Sequence, residues 1–386
     1  MFFIKNHFNF YKKNSKNYVG RKLCGKDKFQ LRKSHFFDTI FTAIRKIKQN
    51  FIEEERGENE MGSNTKVIAV YNQKGGIGKT TTTINLMEAL GQRGYKVLGI
   101  DNDCQNSLSF LANIDTYKKG MLEAEKGEMD IGALLGLYQW YGTVCDYSDL
   151  TKAIRKPTYT KKVRVPGTIN WEEKMVNFCF DIIPGVGKDL SLVEMLYVAP
   201  TDEPYILKPE NRRNARYILK LVIDQVKANF DYDYIFIDCP PSLGILSINA
   251  LVASDFLIIP TNPDMLSTIG IQTIIENLRE LNLYIPDFKI LGILFNEYGG
   301  LKFDDDLIRD VTEYGKLEDI NVFKTKLPRR NRMKQLSAEG NIAYLSTTAE
   351  YKSYNKAIDE LVDEILQEEK TFNELYKNKS SDSKSS

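Results

Sequence analysis

The stretch KVIAVYNQKGGIGKTTTTINL, residues 66–86, decides the reading of this chain. Lys66 to Tyr71 are mostly β-branched or aromatic and contain no turn former, which predicts a buried strand. A glycine-rich turn follows, and apolar residues then recur at helical spacing over 79–93. Strand, glycine turn and helix N-terminus in that order make a phosphate site. Glycines let backbone N–H groups curl around phosphate oxygens, and the helix dipole adds partial positive charge. Within Lys74-Gly75-Gly76-Ile77-Gly78-Lys79-Thr80-Thr81, Lys79 can reach β- and γ-phosphates and the Thr80 hydroxyl can ligate Mg2+. The ordinary pattern G-x-x-x-x-G-K-[ST] fails at its first position, which is Gln73. A second lysine, Lys74, opens the loop instead.

Further apolar runs lie at 96–101, 180–183, 234–238, 256–260 and 290–295, with helical patterns between most of them. Strand–helix alternation with doubly buried strands predicts an α/β fold with a parallel, doubly wound sheet. Two of these runs end in acids. Asp101-Asn102-Asp103-Cys104-Gln105-Asn106 follows KVLGI, where carboxylates at a strand's carboxyl end can orient Mg2+ waters and an attacking water. Tyr234-Ile-Phe-Ile-Asp238-Cys-Pro-Pro-Ser242 is an apolar strand closed by an acid that suits Mg2+, followed by two stiffening prolines.

KGGIGKTT resembles the deviant Walker A motif of the ParA/MinD ATPases, and the chain is identified as a P-loop NTPase of that type. The resemblance covers roughly 66–368, apart from most of 113–178. It implies ATP and Mg2+ as cofactors, held by Lys74, Gly75, Gly76, Ile77, Gly78, Lys79, Thr80 and Thr81, with Thr80, Asp101 and Asp238 toward the metal. It implies a nucleotide-sandwich homodimer in which Lys74 reaches the partner's phosphates. Lys74, Lys79 and Asp103 become the catalytic set, and Cys104 stands where the family usually has proline. Asn296 and Pro328 fall where an amide and a late loop approach adenine. Leu327-Pro328-Arg329-Arg330-Asn331-Arg332-Met333-Lys334-Gln335 resembles a late family segment, which implies nonspecific DNA contact by Arg329, Arg330, Arg332 and Lys334.

Composition narrows the chemistry. Both histidines, His7 and His35, precede residue 36, so Ser-His-Asp and Cys-His hydrolases and most zinc enzymes are excluded from the body. An amidotransferase on this fold would need a Cys-His glutaminase site and is excluded with them. Five cysteines without a CxxC pair read as a reducing compartment with no disulfide framework. No run of about 18 apolar residues occurs, so no spanning helix is expected.

The net charge of +1 hides a basic head: residues 1–50 hold 13 Lys/Arg and two acids. Domains are therefore drawn as a basic extension over 1–60, an ATPase domain over 61–370 with an insertion at about 113–178, and a polar tail over 371–386 expected to be disordered. Phe36, Phe37, Ile40, Phe41, Ile44, Ile47 and Phe51 form a helical stripe in the head. Three readings of the head stand: a basic amphipathic helix on a membrane or nucleic acid, a segment docked on the body, or sequence ahead of a start at Met61. Lysines and arginines over 152–164 read either as a solvated loop or as a second phosphate contact.

The resemblance implies a DNA-partitioning ATPase in the cytoplasm, associated with the nucleoid. A centromere-binding ParB-like protein would stimulate its hydrolysis, and no stable membrane association is expected. The alternatives are a MinD-like membrane-cycling ATPase and a metabolic P-loop enzyme of the same fold.

Overall fold

The computed structural model describes residues 64–114, 128–141, 143–164, 170–198, 216–282, 288–338 and 341–382. The basic head, its apolar stripe and Met61 lie outside the described residues.

The body begins β1 (Lys66–Val70), α1 (Lys79–Gln92), β2 (Val97–Asp101), α2 (Ser107–Leu111), α3 (Ile131–Tyr141), α4 (Tyr147–Ala153), β3 (Thr158–Arg164), β4 (Trp171–Asn177), β5 (Asp181–Ile183) and α5 (Gly187–Val198). It continues α6 (Ile218–Asn229), β6 (Tyr234–Asp238), α7 (Ile245–Ala253), β7 (Phe256–Thr261), α8 (Met265–Asn282), β8 (Lys289–Tyr298), α9 (Lys302–Glu318), β9 (Val322–Pro328), α10 (Met333–Ala338) and α11 (Ala349–Asp382).

Strands that are apolar on both faces need helices on both, and the chain supplies them. Seven parallel strands run in the order β5-β2-β6-β1-β7-β8-β9. Ile68 of central β1 pairs with Phe236 on one side and Phe256 on the other. Alternate residues face opposite ways. Val67 and Ala69 join Ile235 and Ile237 beneath α3, α6, α7 and α8. Ile68 and Val70 join Phe236 and Ile258 beneath α1 and α11, which contribute Ile84, Met87, Ile358 and Leu361. Each such side chain, fully buried, contributes about 1.5–3 kcal/mol. From β1 the chain crosses to β2 beyond β6, whereas from β6 it crosses to β7 on the far side of β1. That reversal opens a crevice at the carboxyl ends of the strands, which is where ligands bind in such sheets.

Both edges of the sheet are occupied. The amides of Lys324 and Thr325 in β9 each donate at 2.8 Å to the carboxylate of Glu364 in α11. On β5, Ile182 exchanges backbone hydrogen bonds of 2.7 and 2.9 Å with Arg155, which precedes β3.

Two expectations are corrected. The stretch 152–164, read as a solvated loop or a phosphate contact, holds strand β3 of the antiparallel hairpin β3–β4. The hairpin mixes Thr, Lys, Arg, Glu, Asn, Met and Trp on one face and Tyr, Val, Lys and Glu on the other, so no clean alternation of apolar and polar residues announces it. The tail read as disordered from 371 is helical to Asp382, because α11 extends beyond its buried stripe at Tyr351, Tyr354, Ile358, Leu361, Val362 and Ile365. No helix among the described residues is long and apolar enough to cross a membrane.

Candidate nucleotide site

The loop between β1 and α1 folds as its glycines permit. Gly76 and Gly78 take positive φ, 72° and 84°, which side chains rarely adopt. A Cβ on Gly75 or Gly76 would meet nothing within 4 Å, so the loop has an open side. Gly78 is different: a Cβ there would sit 2.7 Å from the amide of Asn296, which closes on the loop from the end of β8. That amide donates to the Ile77 carbonyl at 2.7 Å and to the Thr82 hydroxyl at 3.1 Å. The Asn296 amide thus braces the phosphate loop. Pro328 ends β9 at the same edge of the sheet, and Arg329 ties back through its amide to the Tyr298 carbonyl at 3.0 Å.

The two lysines part company. Lys79 is buried and points into the loop, its ammonium donating to the Lys74 carbonyl at 3.1 Å. Burial lowers its pKa, against the pull of Asp238, Cys239 and Asp103. An incoming triphosphate would supply the charge that this ammonium lacks. Lys74 points outward to the start of α8, bonding both oxygens of Asp264 at 3.0 Å and the Ser267 hydroxyl at 2.8 Å. Asp264 also caps α8, taking the Ser267 amide at 2.9 Å. Against its burial, Ser267 and then Lys74 hold Asp264 below the ordinary carboxylate range. Sequence reasoning missed Asp264; an acid three residues ahead of Ser267 at a helix start was the available signal.

Three carboxylates converge from β2 and β6. Asp238 is wholly buried, with one oxygen 3.4 Å from the Thr83 hydroxyl and Oδ2 without a protein partner. Burial, followed by the charges of Asp101 and Asp103, drives its pKa well up, opposed by Thr80 and Lys79. An orphaned carboxylate oxygen next to a lysine and a threonine hydroxyl suits a hydrated divalent cation. Asp101 is turned away from that point, accepting from the Ser109 hydroxyl at 2.6 Å and the Ser109 amide at 2.7 Å. Its carboxyl rises to about 6, chiefly through burial. Asp103 is the only one of the three that reaches the crevice surface, its Oδ1 holding the Gln105 amide at 2.9 Å. No cluster of three His, Cys, Asp or Glu able to cage a metal exists among the described residues. Mg2+ accepts such an arrangement, since it usually takes one or two protein ligands and leaves the rest to water and phosphate.

A family profile described as an AAA domain matches residues 65–290. An uncharacterized protein of Methanocaldococcus jannaschii is 36% identical over 235 residues, covering 60% of this chain and 73% of its own. The sporulation initiation inhibitor Soj of Bacillus subtilis is 28% identical over 277 residues, covering 71% and 88%. The chain belongs to the ParA/MinD family of P-loop ATPases. This places it with the partitioning or positioning ATPases as a nucleotide-binding protein. Apo McdA of Cyanothece shares the fold, with a TM-score of 0.56 at 20% identity over 78% of this chain and 99% of that one.

Around the ParA/MinD-type site the same edge of the sheet carries an apolar collar: Leu266 and Ile269 of α8, Leu301 and Phe303 at α9, and Phe110 of α2 are all exposed. The late basic turn is divided. Arg329 and Arg332 are exposed, whereas Arg330 lies half-buried against α11, donating to the Ser353 hydroxyl and to the Arg329 carbonyl. Lys334 belongs to α10.

Proposed function

We propose that this protein is a DNA-partitioning ATPase in which ATP and Mg2+ clamp two copies face to face. The clamped pair binds DNA without sequence preference, and a centromere-binding ParB-like partner triggers hydrolysis and release. The observation that carries this reading is Lys74. Lys79 already serves its own phosphate loop, so Lys74 is a second ammonium that its own site does not need. It stands at the mouth, beside exposed Leu266 and Ile269. A cation and an apolar collar on one face suit a second copy whose γ-phosphate needs the charge.

In the clamped state the loop amides and Lys79 hold the phosphates. Bound magnesium would neutralise charge on the β- and γ-oxygens, with Thr80 and the free oxygen of Asp238 toward it. Asp103 positions the attacking water, and Asp101 holds that turn in place through Ser109. The apolar stripe of α11 is spent on the sheet, which favours DNA over a membrane as the cargo track. Among the described side chains of the late basic turn, Arg329 and Arg332 are the solvent-facing cations, and doubling them in a dimer multiplies affinity.

Sedimentation of Lys74→Ala with ATP tests the clamp. Nucleotide binding should persist and the dimer should be lost. An ATP-dependent dimer of this variant would refute the reading. Filter binding of Arg329→Glu/Arg332→Glu to two unrelated duplexes tests the DNA surface. An unchanged salt slope with ATP would remove these arginines from it.

A further inference from the structure

Residues 151–177 carry seven Lys or Arg and two Glu, a net of +5. The body from 61 to 386 sums to −6, so the rest of it holds −11. Four of the seven cations, Lys161, Lys162, Arg164 and Lys174, and both acids, Glu172 and Glu173, fall on the narrow hairpin β3–β4, a net of +2; its ladder runs from Thr158↔Asn177 to Arg164↔Trp171, with Lys162 4.0 Å from Glu173. The root of the hairpin is well held. Tyr159 is buried 4.9 Å from Phe178, which lies 5.0 Å from Phe180, and Asn113 donates to the Thr158 carbonyl at 3.0 Å. Beyond the root, Thr160, Lys161, Lys162 and Arg164 are exposed, and so are Trp171 to Met175 on the other strand.

Two features of this ribbon cost stability and gain nothing in the isolated chain. Lys161 and Lys174 are directly opposed in the ladder, where like charges destabilise the pair. Trp171 and Met175 leave 64% and 67% of their surface in water, on the face they share with Lys162 and Arg164. Both costs are relieved by one kind of partner, a polyanion that also offers apolar edges.

We propose that the β3–β4 ribbon is a second, weaker duplex-DNA contact that operates without nucleotide, so that hydrolysis ends the tight grip of the clamped pair and leaves a single ribbon too weak to hold a copy on DNA by itself at physiological salt. A two-stranded ribbon fits the major groove, where its cations meet phosphates on the walls and an apolar side chain meets a thymine methyl. The choice of DNA rests on the partitioning reading above; the location does not. The ribbon springs from the amino end of β5, where the Cys179 amide bonds Glu88 near the end of α1 at 2.8 Å. The phosphate loop, Arg329 and Arg332 lie at the carboxyl ends of the strands, and β5 and β9 are opposite edges of the sheet. Closing the nucleotide face therefore neither creates nor hides the ribbon.

The test is fluorescence anisotropy of a short labelled duplex with the full chain, across a salt series, with ADP and with ATP. With Lys162 engaged by Glu173, the other three ribbon cations give a log–log slope of about −2.7 with ADP, about −0.9 for each phosphate neutralised. Lys161→Glu is the informative variant. It converts the like-charged Lys161–Lys174 pair into an attractive one, so the ribbon remains folded while losing one cation and engaging another. Its ADP slope should become shallower by about 1.8. Arg329→Glu/Arg332→Glu should leave the ADP slope where it was.

An ADP slope unchanged by Lys161→Glu would overturn the proposal. Absence of ADP-state binding in the parent would also overturn it, while leaving the clamped dimer standing. ADP-state binding that Lys161→Glu weakens, with no gain from ATP, would uphold the ribbon and sink the clamp instead. Loss of self-association in sedimentation with DNA binding intact would assign the ribbon to the acidic body of a second copy and overturn the DNA contact.

Discussion

Replacing Asp264 with asparagine should tighten the ATP-dependent dimer. Lys74 holds both Asp264 oxygens at 3.0 Å and Ser267 at 2.8 Å, and the two charged side chains are 40% and 43% exposed. An ion pair so open to solvent is worth about 0.2–1 kcal/mol. One ammonium cannot serve Asp264 and a partner's phosphate together, so each copy entering a clamped dimer releases one such contact. Two are released per dimer, about 0.4–2 kcal/mol in all. Asp264→Asn abolishes that cost and keeps the cap on α8, since asparagine accepts from the Ser267 amide as well as aspartate does. The dimer Kd should fall by about 2- to 30-fold. Sedimentation equilibrium with a nonhydrolysable ATP analogue reads this directly. The difference should shrink in high salt, which screens an exposed pair. A Kd that is unchanged or weaker in Asp264→Asn would show that Asp264 does not compete for Lys74.

Other substitutions separate the roles within the site. Lys79→Ala should lose nucleotide, because the phosphates lose the one buried ammonium in the loop; near-parental affinity by calorimetry would displace the site. Asp103→Ala should keep ATP and accumulate as dimer, and turnover at the parental rate would remove Asp103 from the reaction. Asp101 titrates at about 6 in the folded state against 3.8 ordinarily, so the fold binds that proton more tightly than the unfolded chain does. Its contribution is complete below about pH 4 and lost as pH rises through 6, a swing of about 3 kcal/mol. Urea titrations of the nucleotide-free protein should show this loss, and Asp101→Asn should flatten it; an equal slope in both proteins would contradict the assignment. Gly91→Ala drives a Cβ against the Cys179 backbone and should cost about 1–3 kcal/mol, read as a lower Tm.

What the sequence revealed was set by where each residue's partners lie. β1, β2, β6, β7 and β8 are legible because their side chains are apolar on both faces, and the phosphate loop because its glycines and lysines adjoin. Other parts depend on distant residues. Asp264 stands 190 positions from Lys74, and Asn296 stands 219 from Ile77, so neither contact leaves a local pattern. Asp101 shares a strand end with Asp103 two residues on, yet only the fold shows that it turns to Ser109. β9 alternates Phe323, Thr325 and Leu327 inward with Lys324 and Lys326 between, a weaker signature than the doubly buried strands give. The β3–β4 hairpin escapes because neither of its faces is greasy enough to betray a period of two.

The two occupied margins of the sheet bear on how copies can be crowded together. Exposed strand edges are templates on which another chain can add, and proteins concentrated on a surface are most at risk of fusing in that way. Here Glu364 takes the amides that β9 would offer to a neighbour, and Arg155 fills the corresponding place along β5. Copies can therefore crowd together without zipping into a shared sheet. Contact between them is left to side chains, which can let go as readily as they meet.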